Sequence, residues 1–257
     1  MKLVWLLWLL IFNISLFADV YLSSDADRAG LANLSIISKS PITSYYQASI
    51  TNEGLSCSIS QPYQFSGIEN GNIAISKNVK NFNLSLGSLY LMSNYYNQFS
   101  NYLNLSYTFH DVITWGIGQK LISVYEEENY YYTTTDIGFL ISQNKTKLAV
   151  SYTNLFKRKS SKLTLPNIIS TEISYNPIPD VYLALGLEKE KNFKTCPKIA
   201  IRYKVLKSLT LLSGYSLEPN QISFGISVNY YKCFINYAIM THPQLDSTHY
   251  ITLIYGL

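Results

Sequence analysis

The chain has 257 residues, of which 47% are hydrophobic and only 14% are charged. Soluble domains carry about 25% charged residues, so this composition argues against an ordinary soluble domain. The net charge of +4 and the pI near 8.7 are too small, and the charges too dispersed, to indicate a nucleic-acid-binding protein.

Residues 1–18 are predicted to be a secretory signal peptide. Lys2 supplies a positive charge, residues 3–17 are almost wholly apolar, and Ala18 is a small residue suited to the position before a cleavage site. The alternative is a transmembrane anchor, but the apolar run of about 15 residues is shorter than the roughly 20 that a bilayer span needs. Cleavage after Ala18 would leave a mature chain that begins at Asp19.

The mature chain is predicted to have two parts. Residues 19–43 are expected to form an N-terminal segment, either a reduced plug or a first strand, and residues 44–257 to form a β-barrel. In the second part apolar residues alternate with small polar ones, a pattern typical of strands with one apolar and one polar face. The clearest example places five apolar side chains on one face, namely Ile222, Phe224, Ile226, Val228 and Tyr230.

Turn residues separate these segments, which are about 8 to 12 residues long and so match the length of tilted membrane strands. The prediction is therefore an all-β fold, a transmembrane antiparallel β-barrel of about 14 strands, within a range of roughly 12 to 16. Residues 125–135 and 156–166 are more polar and are expected to be extracellular loops. Tyrosine pairs such as Tyr45–Tyr46 and Tyr230–Tyr231 are expected in the aromatic girdles at the membrane surfaces.

The C-terminal strand carries the most specific signal. From Thr248 onward His249, Ile251, Leu253, Tyr255 and Leu257 share one face. A strand that reaches the last residue needs a partner, and in a barrel it closes the sheet against the first strand. This strand is expected to act as the assembly signal, so the predicted partners include outer-membrane lipid and the barrel assembly machinery. A soluble β-sandwich or a secreted barrel would explain the alternation equally well, but the terminal strand less well.

Few residues have side chains in a pattern that would suit catalysis or metal binding. His110 beside Asp111 is interpreted as a hairpin turn, while His242 and His249 are expected to hydrogen-bond within the last hairpin. Cys57, Cys196 and Cys233 are far apart in sequence and have no metal-ligand spacing. No catalytic, cofactor-binding or metal-binding residue is therefore predicted, no cofactor is expected, and the chain is predicted not to be an enzyme.

The last hairpin resembles that of the PorV/PorQ-type outer-membrane proteins, which belong with the FadL-like barrels. The matching positions are Gly225, Tyr237, Ala238, His242, Pro243, Gln244, Leu245, Thr248 and His249, with Asp246 in place of the usual turn glycine. The sequence from Ala29 to Ala32 is similar to the end of the family's N-P-A-G-L-A segment, but the Asn-Pro is replaced. The glycine-rich plug segment that normally precedes it is absent.

This resemblance implies a non-enzymatic outer-membrane barrel concerned with transport or secretion. The further partners that it implies are secretion-system components or hydrophobic small molecules, and no nucleic acid. The alternatives are a structural or adhesive surface barrel, whose loops would carry the function, and a barrel hydrolase. A hydrolase would need a serine or an acid beside one of the histidines on adjacent strands.

Overall fold

The computed structural model describes residues 25–126, 129–159, 165–191 and 193–257, with the backbone alone for residues 157–159. The predicted signal peptide lies outside the described residues. Fourteen antiparallel strands form one closed sheet, in which each strand pairs with its neighbours along the chain. The strands are β1 (Gly54–Gln61), β2 (Ile68–Val79), β3 (Phe82–Ser93), β4 (Asn97–Phe109), β5 (Ile113–Tyr125), β6 (Asn129–Gln143), β7 (Thr146–Lys159), β8 (Ile168–Ile178), β9 (Val181–Glu190), β10 (Cys196–Leu206), β11 (Leu209–Ser216), β12 (Gln221–Tyr230), β13 (Cys233–Met240) and β14 (Thr248–Tyr255).

The barrel closes between its first and last strands. The register of β1 and β14 runs from Leu55 opposite Tyr255 to Gln61 opposite His249. Because both strands also pair with their other neighbours, neither leaves an open edge. The predicted role of the C-terminal strand in closure is confirmed, as is the strand number of 14.

The outer surface of the barrel is apolar and the inner surface is polar. On β12, Ile222, Phe224, Ile226 and Val228 are 44–57% exposed, whereas Ser223 and Ser227 face inward and are at most 4% exposed. The same alternation recurs on the other strands. A continuous apolar outer belt would be unfavourable in water but matches the hydrocarbon core of a bilayer. The transmembrane antiparallel barrel predicted from the sequence is therefore confirmed.

The two ends of the barrel differ in their connections. At one end β2–β3, β6–β7, β8–β9, β10–β11 and β12–β13 are joined by two-residue turns, and we call this the turn end. The opposite end carries longer connections such as residues 62–67 and 241–247, and we call it the loop end. Outer-membrane barrels have short periplasmic turns and longer extracellular loops. The two ends of this barrel show the same asymmetry.

The first strand begins at Gly54, whereas the sequence placed the start of the barrel at residue 44. The preceding described residues, 25–53, contain no strand, and we call them the plug. The plug includes two four-residue helices, α1 (Ala26–Ala29) and α2 (Thr43–Tyr46). Neither helix is long and apolar enough to cross a membrane. Between residues 25 and 50 all side chains are buried except Asn33, Lys39 and Tyr46.

Apolar side chains of the plug pack against three sectors of the inner wall. Leu31, Leu34, Ile36 and Ile37 contact a patch made by β7, β9, β10 and β11, which presents Ala149, Ala184, Ala200 and Leu212. Helix α1 packs on β13 and β14, and α2 packs on β2, β3 and β4. Each of the three sectors contributes at least one alanine from the wall, which leaves room for the plug, and the plug therefore occupies the lumen.

Two other predictions were wrong. Residues 129–135, expected to be part of a long loop, belong to β6, which pairs with β5 as far as Asn129 opposite Tyr125. Their alternating tyrosines and threonines lengthen the hairpin instead of forming a loop. Tyr45 and Tyr46 do not belong to a girdle, because they lie in α2 inside the barrel. Tyr230 and Tyr231, by contrast, are strongly exposed at the turn end, as a girdle requires. The predicted loop at 156–166 was also partly wrong, because residues 156–159 belong to β7; residues 160–164 lie outside the described residues.

Candidate functional site

The contact between the plug and the inner wall is the candidate functional site, and its strongest element is a buried ion pair. The Asp27 carboxylate on α1 contacts the Arg202 guanidinium on β10, and the two side chains are 1% and 8% exposed. The other carboxylate oxygen of Asp27 accepts from Ser38 Oγ at 2.9 Å and from the Lys39 backbone N–H at 2.6 Å. Removing one partner of a buried pair leaves an uncompensated charge, so this contact ties the plug to the wall.

A second acidic side chain, which belongs to the wall, hydrogen-bonds the plug. Glu172 on β8 points into the lumen, where its Oε2 accepts from the backbone N–H groups of Ser35 at 2.9 Å and Ile36 at 2.7 Å. Both N–H groups belong to an irregular part of the plug with no sheet partner. One carboxyl oxygen has enough lone pairs to accept both hydrogen bonds. Glu172 therefore fixes the middle of the plug.

Neutral hydrogen bonds satisfy the backbone elsewhere. The Ala26 N–H donates to Thr252 Oγ1 at 2.8 Å and the Ala32 N–H to Ser223 Oγ at 3.0 Å. Asn104 Nδ2 donates to the Ala48 carbonyl at 3.0 Å. Irregular backbone at membrane depth is tolerated only where protein or water satisfies it. The inward serine, threonine and asparagine side chains supply these partners.

Two paired glycines allow the plug to touch the backbone of the wall. Gly116 on β5 lies opposite Gly138 on β6. A Cβ atom at Gly116 would lie 2.0 Å from the Ala48 carbonyl oxygen, and one at Gly138 would lie 2.6 Å from the Ser49 nitrogen. No other residue fits this close approach without moving the plug.

A polar chamber of about 70 Å³ remains between the plug and the wall toward the loop end. Its charged lining is balanced, with three basic and three acidic side chains: Arg28, Lys120, Lys198, Glu172, Glu188 and Glu218. Lys120 pairs with Asp136 at 2.9 Å and lies 3.7 Å from the centre of the Tyr45 ring, and Lys198 pairs with Glu188 at 2.9 Å. Ionisable groups inside a membrane barrel are costly and commonly mark a solute path.

The location of the plug inside the barrel shifts the pKa values of two of its ionisable side chains, Asp25 and Lys39. Burial, and secondly the nearby Asp27 carboxylate, raises the pKa of Asp25 from 3.8 to about 6. The Lys39 side chain keeps exposed surface, but the protein atoms around it still desolvate its ammonium group, and this desolvation, with the positive charge of Arg202 second, lowers the pKa of Lys39. Docking of the plug is therefore linked to pH through groups that the sequence did not single out.

The histidines lie away from the lumen. His110 and Asp111 occupy the turn between β4 and β5 with positive φ angles, as expected. His242 Nδ1 accepts from the backbone N–H groups of Gln244 and Leu245 at 3.2 and 3.1 Å, so it stabilises the last loop. These hydrogen bonds match the predicted role of His242 in the hairpin.

Among the described residues, His249 is the histidine that lies near a serine hydroxyl. Its Nδ1 is 2.6 Å from the Tyr237 hydroxyl, and its Nε2 is 3.5 Å from Ser247 Oγ and 3.4 Å from Gln64 Nε2. The Ser247 contact is too long to activate a nucleophile. All three cysteines are free thiols. Among the described residues, no three His, Cys, Asp or Glu side chains are placed to hold a metal ion.

Sequence reasoning missed the residues that hold the plug, namely Asp27, Glu172 and Arg202. A signal was present in the sequence, because Glu172 lies between Ser170 and Ser174 on the inner face of β8, and Arg202 follows Ala200 on the inner face of β10. A charge on the inner face of a membrane strand needs a partner. The partner could not be named without the fold, since Asp27 and Arg202 are 175 positions apart.

No protein-family model matches the chain, and no curated protein matches it. Solved structures do match. The CymD monoaromatic hydrocarbon channel has a TM-score of 0.71 at 7% identity, covering 93% of this chain and 98% of that one. A Pseudomonas aeruginosa FadL homologue has a TM-score of 0.63 at 10% identity, with 90% and 98% coverage. A deletion mutant of the TodX monoaromatic hydrocarbon channel has a TM-score of 0.59 at 9% identity, with 83% and 90% coverage. At these identities the likeness establishes the fold alone, a closed antiparallel barrel that this chain shares with these three proteins.

Proposed function

We propose that this chain is a non-enzymatic transport barrel of the bacterial outer membrane, closed by its own N-terminal plug. The observation that carries the proposal is the location of the plug. A segment outside the sheet occupies a hydrophilic lumen, so the path across the membrane opens or closes by movement of residues 25–53 while the barrel stays intact. The likeness to channels of the FadL type supports a transport role.

The contacts of the plug also support this proposal. Only a few apolar side chains of the plug contact each sector of the wall. Most of the other contacts between plug and wall are hydrogen bonds and ion pairs. In a lumen that water can enter, the neutral hydrogen bonds exchange readily for contacts with water, because the net free energy of each is only about 0.5–1.5 kcal/mol. A plug held in this way can be released without unfolding the strands.

Conductance tests the proposal. Purified protein in planar bilayers should conduct ions in brief, rare openings, and a variant lacking residues 25–50 should conduct persistently. Heat-modifiable migration in gels would verify that each barrel is folded. A folded barrel without the plug that conducts no ions would refute a transport role.

A secretion-associated role like that of the PorV/PorQ-type proteins is the second candidate. It is favoured by the number of independent anchors, since the plug contacts three sectors of the wall and two charged wall residues. A plug that never left the lumen would make the barrel a membrane anchor for a partner at its loop end. Absence of conductance together with cross-linking of a partner to the 241–247 loop would support this role over transport.

An adhesive barrel is not favoured. The connections β3–β4 and β5–β6 at the loop end contain only three residues each, 94–96 and 126–128. The longer described connections at this end, 62–67 and 241–247, have six and seven residues, and loops of these lengths offer little surface for adhesion.

A further inference from the structure

We infer that the turn end of the lumen holds a binding site for a phosphate-type dianion, formed by Lys39 of the plug with Lys147 on β7 and Lys204 on β10. We call these three side chains the basic mouth. The site goes beyond the proposed transport function, because an anion can bind there whether or not the barrel conducts ions.

The two lysines of the wall point into the lumen. Lys147 is two positions from Ala149, which packs against the plug. Lys204 is two positions from Arg202, which pairs with the plug. Side chains two positions apart on a strand share a face, so both lysines face inward, about 7 Å nearer the turn end than the neighbours that contact the plug.

The plug brings Lys39 to the same end. Its backbone N–H donates to Asp27, the partner of Arg202, and its ammonium group lies 5.7 Å from the centre of the Tyr182 ring on β9. Tyr182 lies directly opposite Arg202 in the sheet. Lys204 is therefore the diagonal neighbour of Tyr182 on the same face, a spacing that long side chains can bridge.

The basic mouth is accessible and its charges are unpaired. The Lys39, Lys147 and Lys204 side chains all have exposed surface. In the part of the chain that the structure describes, none of the three forms an ion pair, and none of their ammonium groups donates a hydrogen bond. A solute that enters the turn end therefore meets these charges directly.

Carboxylates at this end do not neutralise the basic mouth. Asp27 already pairs with the guanidinium of β10. Glu53 precedes β1, on the opposite side of the barrel from β8, and Asp111 lies in the β4–β5 turn. Asp180 lies in the β8–β9 turn, where its backbone carbonyl accepts from the Lys204 N–H at 2.8 Å, but its carboxylate forms no ion pair with a described residue.

The electrostatic field at Lys39 is positive. Desolvation lowers the pKa of Lys39 first, and the positive charges of Arg202 and Lys147 lower it further. The Asp27 carboxylate acts in the opposite direction but does not reverse the shift. Like charges held close together repel, and an anion placed among them removes that repulsion.

The chemistry of lysine favours a phosphate-type ligand. Each ammonium group is a compact point charge with three N–H donors on a flexible stem, and lysine binds phosphate oxygens in this way. A dianion with several oxygens can accept from more than one lysine and balances two of the three positive charges. A monoanion would leave two charges unbalanced.

A bound dianion would also hold the plug in place. It would contact Lys39 on the plug and the two lysines of the wall at the same time, so it would bind the docked plug better than the released one. A ligand with this preference shifts the equilibrium toward docking. This consequence rests on the proposed transport function, in which release of the plug opens the path.

Calorimetric titration of the full-length mature protein with inorganic phosphate tests the site. The protein is folded in a detergent without phosphate groups, so that lipid headgroups cannot supply the anion. A slightly alkaline buffer keeps phosphate mainly a dianion. We expect saturable binding of phosphate, and much weaker binding of acetate, a monoanion, at equal ionic strength.

Three variants sharpen the test. Lys147→Gln and Lys204→Gln should each weaken phosphate binding about tenfold, the change expected when a hydrogen bond from a charged donor is lost. Both leave the plug sequence intact, and heat-modifiable migration verifies that they fold. Lys232→Gln is the matched control, since it removes an exposed lysine at the same end, in the β12–β13 turn and outside the basic mouth. It should bind phosphate like the unmodified protein.

Planar bilayers test the effect on the plug. Phosphate should lower the open probability of the unmodified protein and of Lys232→Gln, but much less that of Lys147→Gln. An open probability that phosphate leaves unchanged, although it binds, would show that the anion does not bridge plug and wall.

Failure of the site and failure of the proposed function are distinguishable. If the unmodified protein binds no phosphate, or if all three variants bind it equally well, the inference is overturned and the transport function stands. If phosphate binds as expected but the barrel without its plug conducts no ions, the site stands and the transport function falls.

Discussion

Breaking the ion pair between Asp27 and Arg202 should release the plug. Asp27→Ala leaves the Arg202 guanidinium buried without its carboxylate, and the Arg202 Nε already has no acceptor among the described residues. The variant also removes the acceptor of Ser38 Oγ and of the Lys39 N–H. Loss of one partner of a buried pair costs about 3–5 kcal/mol, which shifts the balance between docked and released plug by roughly a hundredfold or more.

Arg202→Ala should have a smaller effect, because Asp27 would keep two hydrogen-bond donors within the plug. The double variant should cost less than the sum of the two single variants, since no buried charge then remains unpaired. The open probability of each of the three variants is measured in planar bilayers. Heat-modifiable migration in gels shows that each barrel remains folded.

Lys194→Ala is the matched control for this cycle. Its partner is Glu218 at 3.3 Å, and the two side chains are 82% and 44% exposed. Exposed pairs are worth about 0–1 kcal/mol, so this variant should behave like the unmodified protein. If Asp27→Ala also opened no more often than the unmodified protein, the ion pair would not hold the plug.

Three further outcomes are expected. Ile226→Arg, near the middle of the lipid-facing side of β12, should destabilise the barrel by about 2–4 kcal/mol, whereas Tyr230→Arg at the end of the same strand should cost about 0–1 kcal/mol. Urea unfolding in lipid vesicles measures both free energies. Equal costs would contradict the face and depth assigned to these residues. Gly116→Ala should raise conductance, because its Cβ would lie 2.0 Å from the Ala48 carbonyl oxygen. Since the pKa of Asp25 is raised from 3.8 to about 6, its contribution to docking is complete below pH 3.8 and lost as the pH rises through about 6. Open probability should increase over that interval, and Asp25→Asn should abolish the increase.

The sequence alone determined the wall of this protein. Side chains alternate strictly between the two faces of a strand, so rows such as Ile222 to Tyr230 report which face meets lipid without any knowledge of the neighbouring strands. The C-terminal strand could be recognised in the same way, because His249, Ile251, Leu253 and Tyr255 alternate with the residues between them. These are local signals, and they were sufficient for the fold class, the strand number and the closure of the sheet.

Only the tertiary structure decided how the lumen is filled. The plug lacks a periodic pattern, and its contacts join residues far apart in sequence, such as Asp27 with Arg202 and Ala26 with Thr252. The curvature of the closed barrel brings these groups together, and a sequence pattern contains no information on that curvature. The same reason explains the misplaced Tyr45 and Tyr46. A tyrosine pair has the same sequence in a girdle and in a plug. Only the path of the chain through the lumen distinguishes the two locations.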